Sequence, residues 1–175
     1  DLTSADDEKE YDGTALTNNT IIVTGDGFAN GEGASYDVTG TQTLVGSSEN
    51  EFTYELNENT KAENYNITTA NGTLNVTKAT MTVTAVDYSD KYDGDTHNGG
   101  ATPSVTAGTT LSYSTDGTTW SDTAPSIKDA GSITYTVKAV NPNYNDATDE
   151  GTLEVTVRTV KLTSASDEKV YDGNR

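Results

Sequence analysis

Apolar and polar residues alternate with a period of two along short runs, and glycine-containing turns separate the runs. Met81-Thr82-Val83-Thr84-Ala85-Val86, Ile133 to Val140 and Thr152 to Val157 place apolar side chains at every second position, with Thr or charged residues between them. That is the spacing of a half-buried β-strand. Thr20 to Thr24, Phe52 to Leu56 and Thr73 to Thr77 read the same way, and their β-branched residues suit a pleated surface. Turns are predicted at Asp26-Gly27, Asn30-Gly31, Asn71-Gly72 and Asp116-Gly117, where glycine tolerates the positive φ that tight hairpins need. The segment Leu111 to Trp120 predicts a hairpin around Asp116-Gly117, and Glu58 to Tyr65 predicts at most one or two helical turns. The pattern predicts an all-β, strand-rich chain.

The runs recur. Tyr-Asp-Gly follows an acidic, lysine-containing segment three times, at Tyr11, Tyr92 and Tyr171. Asn64-Tyr65-Asn66, then Gly72-Thr73-Leu74, returns in step as Asn143-Tyr144-Asn145, then Gly151-Thr152-Leu153. A period of about 80 residues is too long for a solenoid repeat and long enough for each unit to own a small core. The expected organisation is one repeat module over residues 1–79, a second over 80–159, and the first strand and turn of a third over 160–175. Leu162 to Lys169 closely repeats Leu2 to Lys9, so the third module is expected to continue in a longer parent protein. Within each unit the first strand is expected to enter a charged Asp-Glu-Lys loop and turn at Tyr-Asp-Gly. The last strand ends near Lys78 or Arg158 and meets the next unit with almost no linker, which predicts a semi-rigid, elongated array.

Charge narrows the partners. The net charge is −18, with 28 acidic against 10 basic residues, which opposes binding to nucleic acid and to anionic membranes. There is no cysteine, so neither disulfides nor thiolate chemistry are available. Small secreted eukaryotic domains usually depend on disulfides, so the absence favours a bacterial surface protein. Ten tyrosines and the regular alternation argue against disorder despite a hydrophobic fraction of 31%.

The order Lys91-Tyr92-Asp93-Gly94, Tyr113 to Trp120, Asp129-Ala130-Gly131 and Asn143-Tyr144-Asn145 resembles the YDG and MBG families of repeat modules found in bacterial surface and adhesin-like proteins. The first unit, with Gly25 to Gly33, is closer to the YDG type and the second to the MBG type. The resemblance implies small immunoglobulin-like or β-grasp-like modules used as stalk or adhesive, on the bacterial cell surface and outside the cell. It lends no catalytic residues.

Candidate chemistry is sparse. His97, the sole histidine, lies in a loop-like sequence with no nucleophile motif around it, and carboxylates alone do not make a glycosidase, so no enzyme activity is expected. Asp87, Asp90, Asp93 and Asp95 cluster near a glycine turn, as do Asp6, Asp7, Glu8 and Asp12, and hard carboxylate oxygens suit Ca²⁺. Their spacing differs from an EF-hand loop and lysines intrude. No other cofactor is implied. Trp120, with Tyr113 and Tyr135, is the candidate contact for a glycan or a host surface protein, because aromatic faces stack on sugars and anchor interfaces; the competing expectation is a core tryptophan. The Tyr-Asp-Gly tyrosines are expected to pack over the sheet while Asp and Gly form the turn. Lys78, Lys128 or Lys138 with a nearby Asn is conceivable as a self-formed isopeptide pair. Two functions therefore stand: a non-catalytic stalk whose partners are neighbouring modules of the same chain, and a binding module centred on Trp120.

Overall fold

The computed structural model describes residues 1–173; Asn174 and Arg175, in the segment expected to open a third repeat, lie outside the described residues. The chain is all-β, and the described residues hold strands from Leu2 to Thr156 with one three-residue 3-10 helix among them at Ala62–Asn64, inside the stretch expected to hold a helical turn or two. Among the described residues no helix is long and apolar enough to cross a membrane.

Eight strands lie before residue 78: β1 (Leu2–Ser4), β2 (Asp7–Glu10), β3 (Ile21–Val23), β4 (Ala34–Val38), β5 (Gly46–Asn50), β6 (Phe52–Leu56), β7 (Thr69–Ala70) and β8 (Gly72–Thr77). They pair as two small mixed sheets, in the orders β3-β1-β7 and β2-β8-β5, and one antiparallel pair, β4-β6. Eight more follow: β9 (Val83–Ala85), β10 (Tyr88–Lys91), β11 (His97–Asn98), β12 (Ala101–Pro103), β13 (Thr110–Ser114), β14 (Ser126–Ile127), β15 (Gly131–Asn141) and β16 (Tyr144–Thr156). These pair as β10-β16-β15-β13, β9-β12 and β11-β14. No ladder among the described residues joins the first eight strands to the second eight.

Registers recur between the two sets. β1 runs antiparallel to β3 with Leu2 opposite Val23, and β9 runs antiparallel to β12 with Val83 opposite Pro103, a proline at the end of a two-stranded ladder where its missing N–H costs no bond. β2 lies parallel to β8 with Asp7 beside Leu74, and β10 lies parallel to β16 with Tyr88 beside Leu153. The expected charged loop is therefore a strand. Its alternating charged side chains are half-buried and exposed by turns, and its main chain is held by the ladder to β8. Phe52 to Leu56 forms β6 as expected, whereas Asn71-Gly72 is no turn: Gly72 opens β8 without positive φ. The hairpin expected over Leu111 to Trp120 shortens to β13 and a single bridge, Tyr113 to Ser121.

The two interiors differ. Met81, Val83, Tyr113, Ile127, Tyr135, Val137, Ala139, Leu153 and Val155 form one continuous buried cluster, whereas the first set gathers only Leu16, Leu74 and Val76, flanked by Tyr11 and Val45. Ser4 and Asn50 are also buried there. Little apolar area leaves water in such a core, so hydrogen bonds carry more of its stability. Beyond Thr156 the described residues form no strand, and Val160, Leu162, Val170 and Tyr171 are exposed. The first strand expected of a third unit is not formed, because a strand needs a ladder partner and none stands beside it.

Candidate functional site

Asp116 organises the loop that carries Trp120. Its Oδ1 accepts hydrogen bonds from the Thr118 and Thr119 amides at 2.8 and 2.7 Å and from Ser114 Oγ at 3.0 Å, and these donors hold its carboxyl well below the usual carboxylate range. Gly117 takes φ of 73° there, as the Asp-Gly turn requires. Ser121 exchanges main-chain hydrogen bonds with Tyr113 at 2.8 and 2.9 Å, which fixes the backbone on the far side of Trp120. Trp120 is 40% exposed. Tyr113 and Tyr135 are not its companions on the surface. Both are buried in the cluster under β13 and β15, with their rings 6.1 Å apart, so the three-residue aromatic patch is not formed.

The carboxylates proposed for calcium do not converge. Asp87 accepts from the Thr152 amide, Asp90 from the Lys91 amide, and Asp93 from the Asp95 amide, each within 2.9 Å. Among the described residues no group of three or more His, Asp or Glu side chains is placed to hold a metal ion. The second acidic group is likewise dispersed: Asp6 accepts from the Thr73 amide, Asp7 from Asn18, and Asp12 from Lys9 Nζ at 2.7 Å. Lys9 in turn lowers the Asp12 carboxyl far below its ordinary range. His97 stacks on Tyr88 with ring centres 3.8 Å apart, and its Nε2 lies 3.0 Å from Tyr88 Oη and 3.1 Å from Asp93. The Asp95 amide and His97 lower the Asp93 carboxyl, and burial followed by Asp93 raises the Tyr88 phenol. No nucleophile stands in this group. Lys78 and Lys128 are exposed and Lys138 pairs with Asp146 at 3.4 Å, so no lysine occupies the buried setting an isopeptide bond needs.

A separate contact joins the two strand sets. The turn joining β15 to β16 is built by Asn141, whose buried side chain donates to Ala107 O and Thr109 Oγ1 and accepts from the Asn143 amide. Asn143 then faces both ways. Its main-chain oxygen accepts from the Ala79 amide at 3.1 Å, and its Oδ1 accepts from the Val45 amide at 3.2 Å. The Asn145 amide donates to Ala79 O at 2.8 Å, so Ala79 forms a one-residue parallel bridge with Tyr144. The Tyr144 ring meets Tyr11 edge-on, with centres 5.6 Å apart and planes at 82°. The tyrosine of the first Tyr-Asp-Gly thus touches the tyrosine of the second Asn-Tyr-Asn. Sequence reasoning found both motifs but not their contact; the signal was that the two recur in step.

Elsewhere in the first set, Asn64 to Ile67 line an open cleft of about 370 Å³ together with Asp1, Leu2 and Asp26. Phe28 and Tyr65 pack there with ring centres 5.2 Å apart, and Tyr65 Oη donates to Glu32, which raises the phenol above its ordinary value.

No protein-family model matches the chain, and no curated protein matches it either.

Proposed function

We propose that the chain is a non-catalytic spacer of a bacterial cell-surface, adhesin-like protein, made of strand-rich modules docked in series. The modules are residues 1–79 and 80–159, with 160–175 opening a third. The observation that carries this reading is the contact through Asn143 and Tyr144. A flexible string of beads would leave the connection between units solvated, whereas here Val45, Ala79 and Tyr11 are all engaged. The high negative charge and the absence of cysteine suit an extracellular rod that stays soluble. Of the two architectures the resemblance implies, the immunoglobulin-like one is favoured. The first strand divides between sheets, β1 pairing with β3 and β2 with β8, as strands that close two layers over one core do.

Small-angle X-ray scattering tests the serial arrangement. A compact globule of 175 residues has a radius of gyration of about 16 Å. The spacer reading expects a clearly larger value and a skewed distance distribution; a value near that of the globule would overturn it.

Trp120 supports a second reading, because a single tryptophan left 40% exposed on a rigid loop is a natural anchor for a glycan or host protein. Binding to glycans and extracellular host proteins that is lost in Trp120→Ala would establish it. Absence of binding by the folded wild-type chain would remove it.

A further inference from the structure

β3 is an edge strand: among the described residues it pairs with β1 on one side and with no strand on the other. The main-chain bonds fix which groups the open side presents. Asp1 and Thr24 exchange bonds in both directions at 3.0 Å, and Thr20 O accepts from the Ala5 amide, so Thr20, Ile22 and Thr24 turn their main-chain groups toward β1. Antiparallel pairing alternates, which leaves the amides and carbonyls of Ile21 and Val23 pointing outward. No described residue bonds them there. Ile22, between them, is 47% exposed.

The equivalent edge of the second set is closed. Pro103 stands opposite Val83 in the β9-β12 ladder as Val23 stands opposite Leu2, and the bonds from the Val86 amide to Gly100 O and from the Ser104 amide to Thr82 O place Pro103 among the outward-facing residues. Proline has no N–H to offer, and proline on an edge stops further strands from adding to a sheet. β3 has no such guard. The contact between the two strand sets runs through Tyr11, Val45, Ala79 and Asn143 to Asn145 and leaves β12 out, so the β3 edge is not half of that serial contact. β1 lies on the opposite side of β3, so the course of the chain at Asp1 has no bearing on the open edge.

We infer that β3 is a docking edge for β3 of a second copy of this chain, the two strands pairing antiparallel about a two-fold axis at Ile22. In that register the Ile21 and Val23 amides of each copy donate to the Val23 and Ile21 carbonyls of the other, so every outward main-chain group of these residues is paired. Ile22 meets Ile22 across the axis, and Thr20 meets Thr24, both favourable cross-strand pairs. Charge also suits the edge to its own copy. Thr14 to Gly25 contains no charged residue in a chain of net charge −18, whereas β2, β4, β5 and β6 each carry a carboxylate that a second copy would set against its own. Self-pairing is isologous, so association stops at the dimer. It joins chains side by side and goes beyond the spacer reading, on which it does not rest.

Short strands make a small interface and a weak dimer, so sedimentation velocity of the full chain is carried up to about 1 mM. The sedimentation coefficient is expected to rise with concentration to a plateau at the dimer. Raising sodium chloride from about 0.01 M to about 1 M is expected to bring that plateau to lower concentration, because salt screens the repulsion between two acidic chains. Val23→Pro copies the guard on β12 and removes no bond within the chain, and Ile22→Lys sets like charges across the axis. Both are expected to stay monomeric with unchanged melting temperature, while Trp120→Ala dimerises as wild type does. A wild-type chain that stays monomeric overturns the inference and leaves the edge to an extended strand of another protein. A dimer that persists in either folded variant, or that salt dissolves, overturns it as well. Ile22→Cys reads the register independently in a chain without native cysteine, since the paired positions stand about 4.5 Å apart between Cα atoms, within disulfide reach. Oxidised with glutathione disulfide, Ile22→Cys is expected to dimerise covalently about tenfold faster than the equally accessible loop variant Thr118→Cys, and equal rates overturn the pairing. Failure here is separable from failure of the spacer reading: a monomer that X-ray scattering finds elongated sinks only the pairing of copies, and a dimer of compact chains sinks only the spacer.

Discussion

Asn50 and Tyr135 occupy the same place in the two strand sets. Asn50 stands opposite Gly72 in the ladder of β5 with β8, and Tyr135 stands opposite Gly151 in the ladder of β15 with β16. Both are buried, and both reach the same stretch of main chain: Asn50 Nδ2 donates to Ala5 O and Asn18 O, and Tyr135 Oη donates to Val86 O at 2.7 Å. The Tyr135 hydroxyl also accepts from the Val86 and Gly100 amides at 3.2 and 3.1 Å. One polar side chain therefore pins the segment after the first strand in each set, by an amide in one and a phenol in the other.

Tyr135→Phe removes that pin while keeping the ring in its cluster. Leaving buried main-chain groups short of a partner costs about 2 kcal/mol, which in a unit of this size lowers the melting temperature by about 10 °C. Thermal unfolding followed by Trp120 fluorescence reads the effect on the second set. A fall of less than about 2 °C would show that the hydroxyl contributes nothing.

The glycines opposite these residues are required for space. A Cβ at Gly151 would lie 2.7 Å from the Tyr135 ring, and one at Gly72 would lie 2.3 Å from the Ser4 carbonyl oxygen. Gly72→Ala and Gly151→Ala are each expected to destabilise by about 3 kcal/mol, since backbone or a locked ring must move. Gly13 of Tyr-Asp-Gly is the contrast: it has open space but φ of 82°, so Gly13→Ala costs about 1 kcal/mol through backbone strain alone. Urea unfolding of the three variants checks the order, and an equal cost for all three would contradict it.

Gly72 also marks a limit of reading the chain from its letters. Asn-Gly is a strong turn signal, yet close approach of β1 to β8, rather than a turn, explains the glycine. Alternation made β6, β15 and β16 legible, because apolar residues at every second position have one structural meaning. It could not find β2, whose residues are all charged and whose strand character comes from the main-chain ladder to β8. Nor could it decide which aromatics face out. Tyr135 shares its face of β15 with Val137 and Ala139 and is buried, while Trp120, outside any strand, is exposed. The acidic cluster dissolves for a related reason: main-chain amides, unseen in a spacing pattern, orient Asp87, Asp90 and Asp93 separately.

Tyr11 and Tyr144 test the contact between the strand sets. Edge-on aromatic pairs contribute about 1 kcal/mol beyond their burial. A double-mutant cycle of Tyr11→Ala and Tyr144→Ala is expected to return a coupling energy near that figure, and Asn143→Ala is expected to weaken the contact further by freeing the Val45 amide. Additive effects of the two tyrosine substitutions would mean that the rings touch without mutual stabilisation.

Stability should fall at both ends of the pH scale. Asp12, Asp93 and Asp116 are depressed below their ordinary value of 3.8, first by Lys9, the Asp95 amide and the Thr119 amide respectively. Because the unfolded chain binds their protons more readily, the stability they supply is complete above about pH 4 and is lost as pH falls through the depressed values. Tyr36, Tyr65, Tyr88 and Tyr113 are raised above 10.0, chiefly by burial, and by the Glu32 hydrogen bond at Tyr65. Here the folded chain holds the proton more tightly, so their contribution is complete below about pH 10 and is lost as pH rises through the raised values. Melting temperature against pH is expected to be level with respect to these groups between those limits. Asp116→Asn, which keeps a side-chain oxygen to accept the Thr118 and Thr119 amides, should make the acid limb shallower. An acid limb unchanged by that substitution would place the acid sensitivity at other carboxylates.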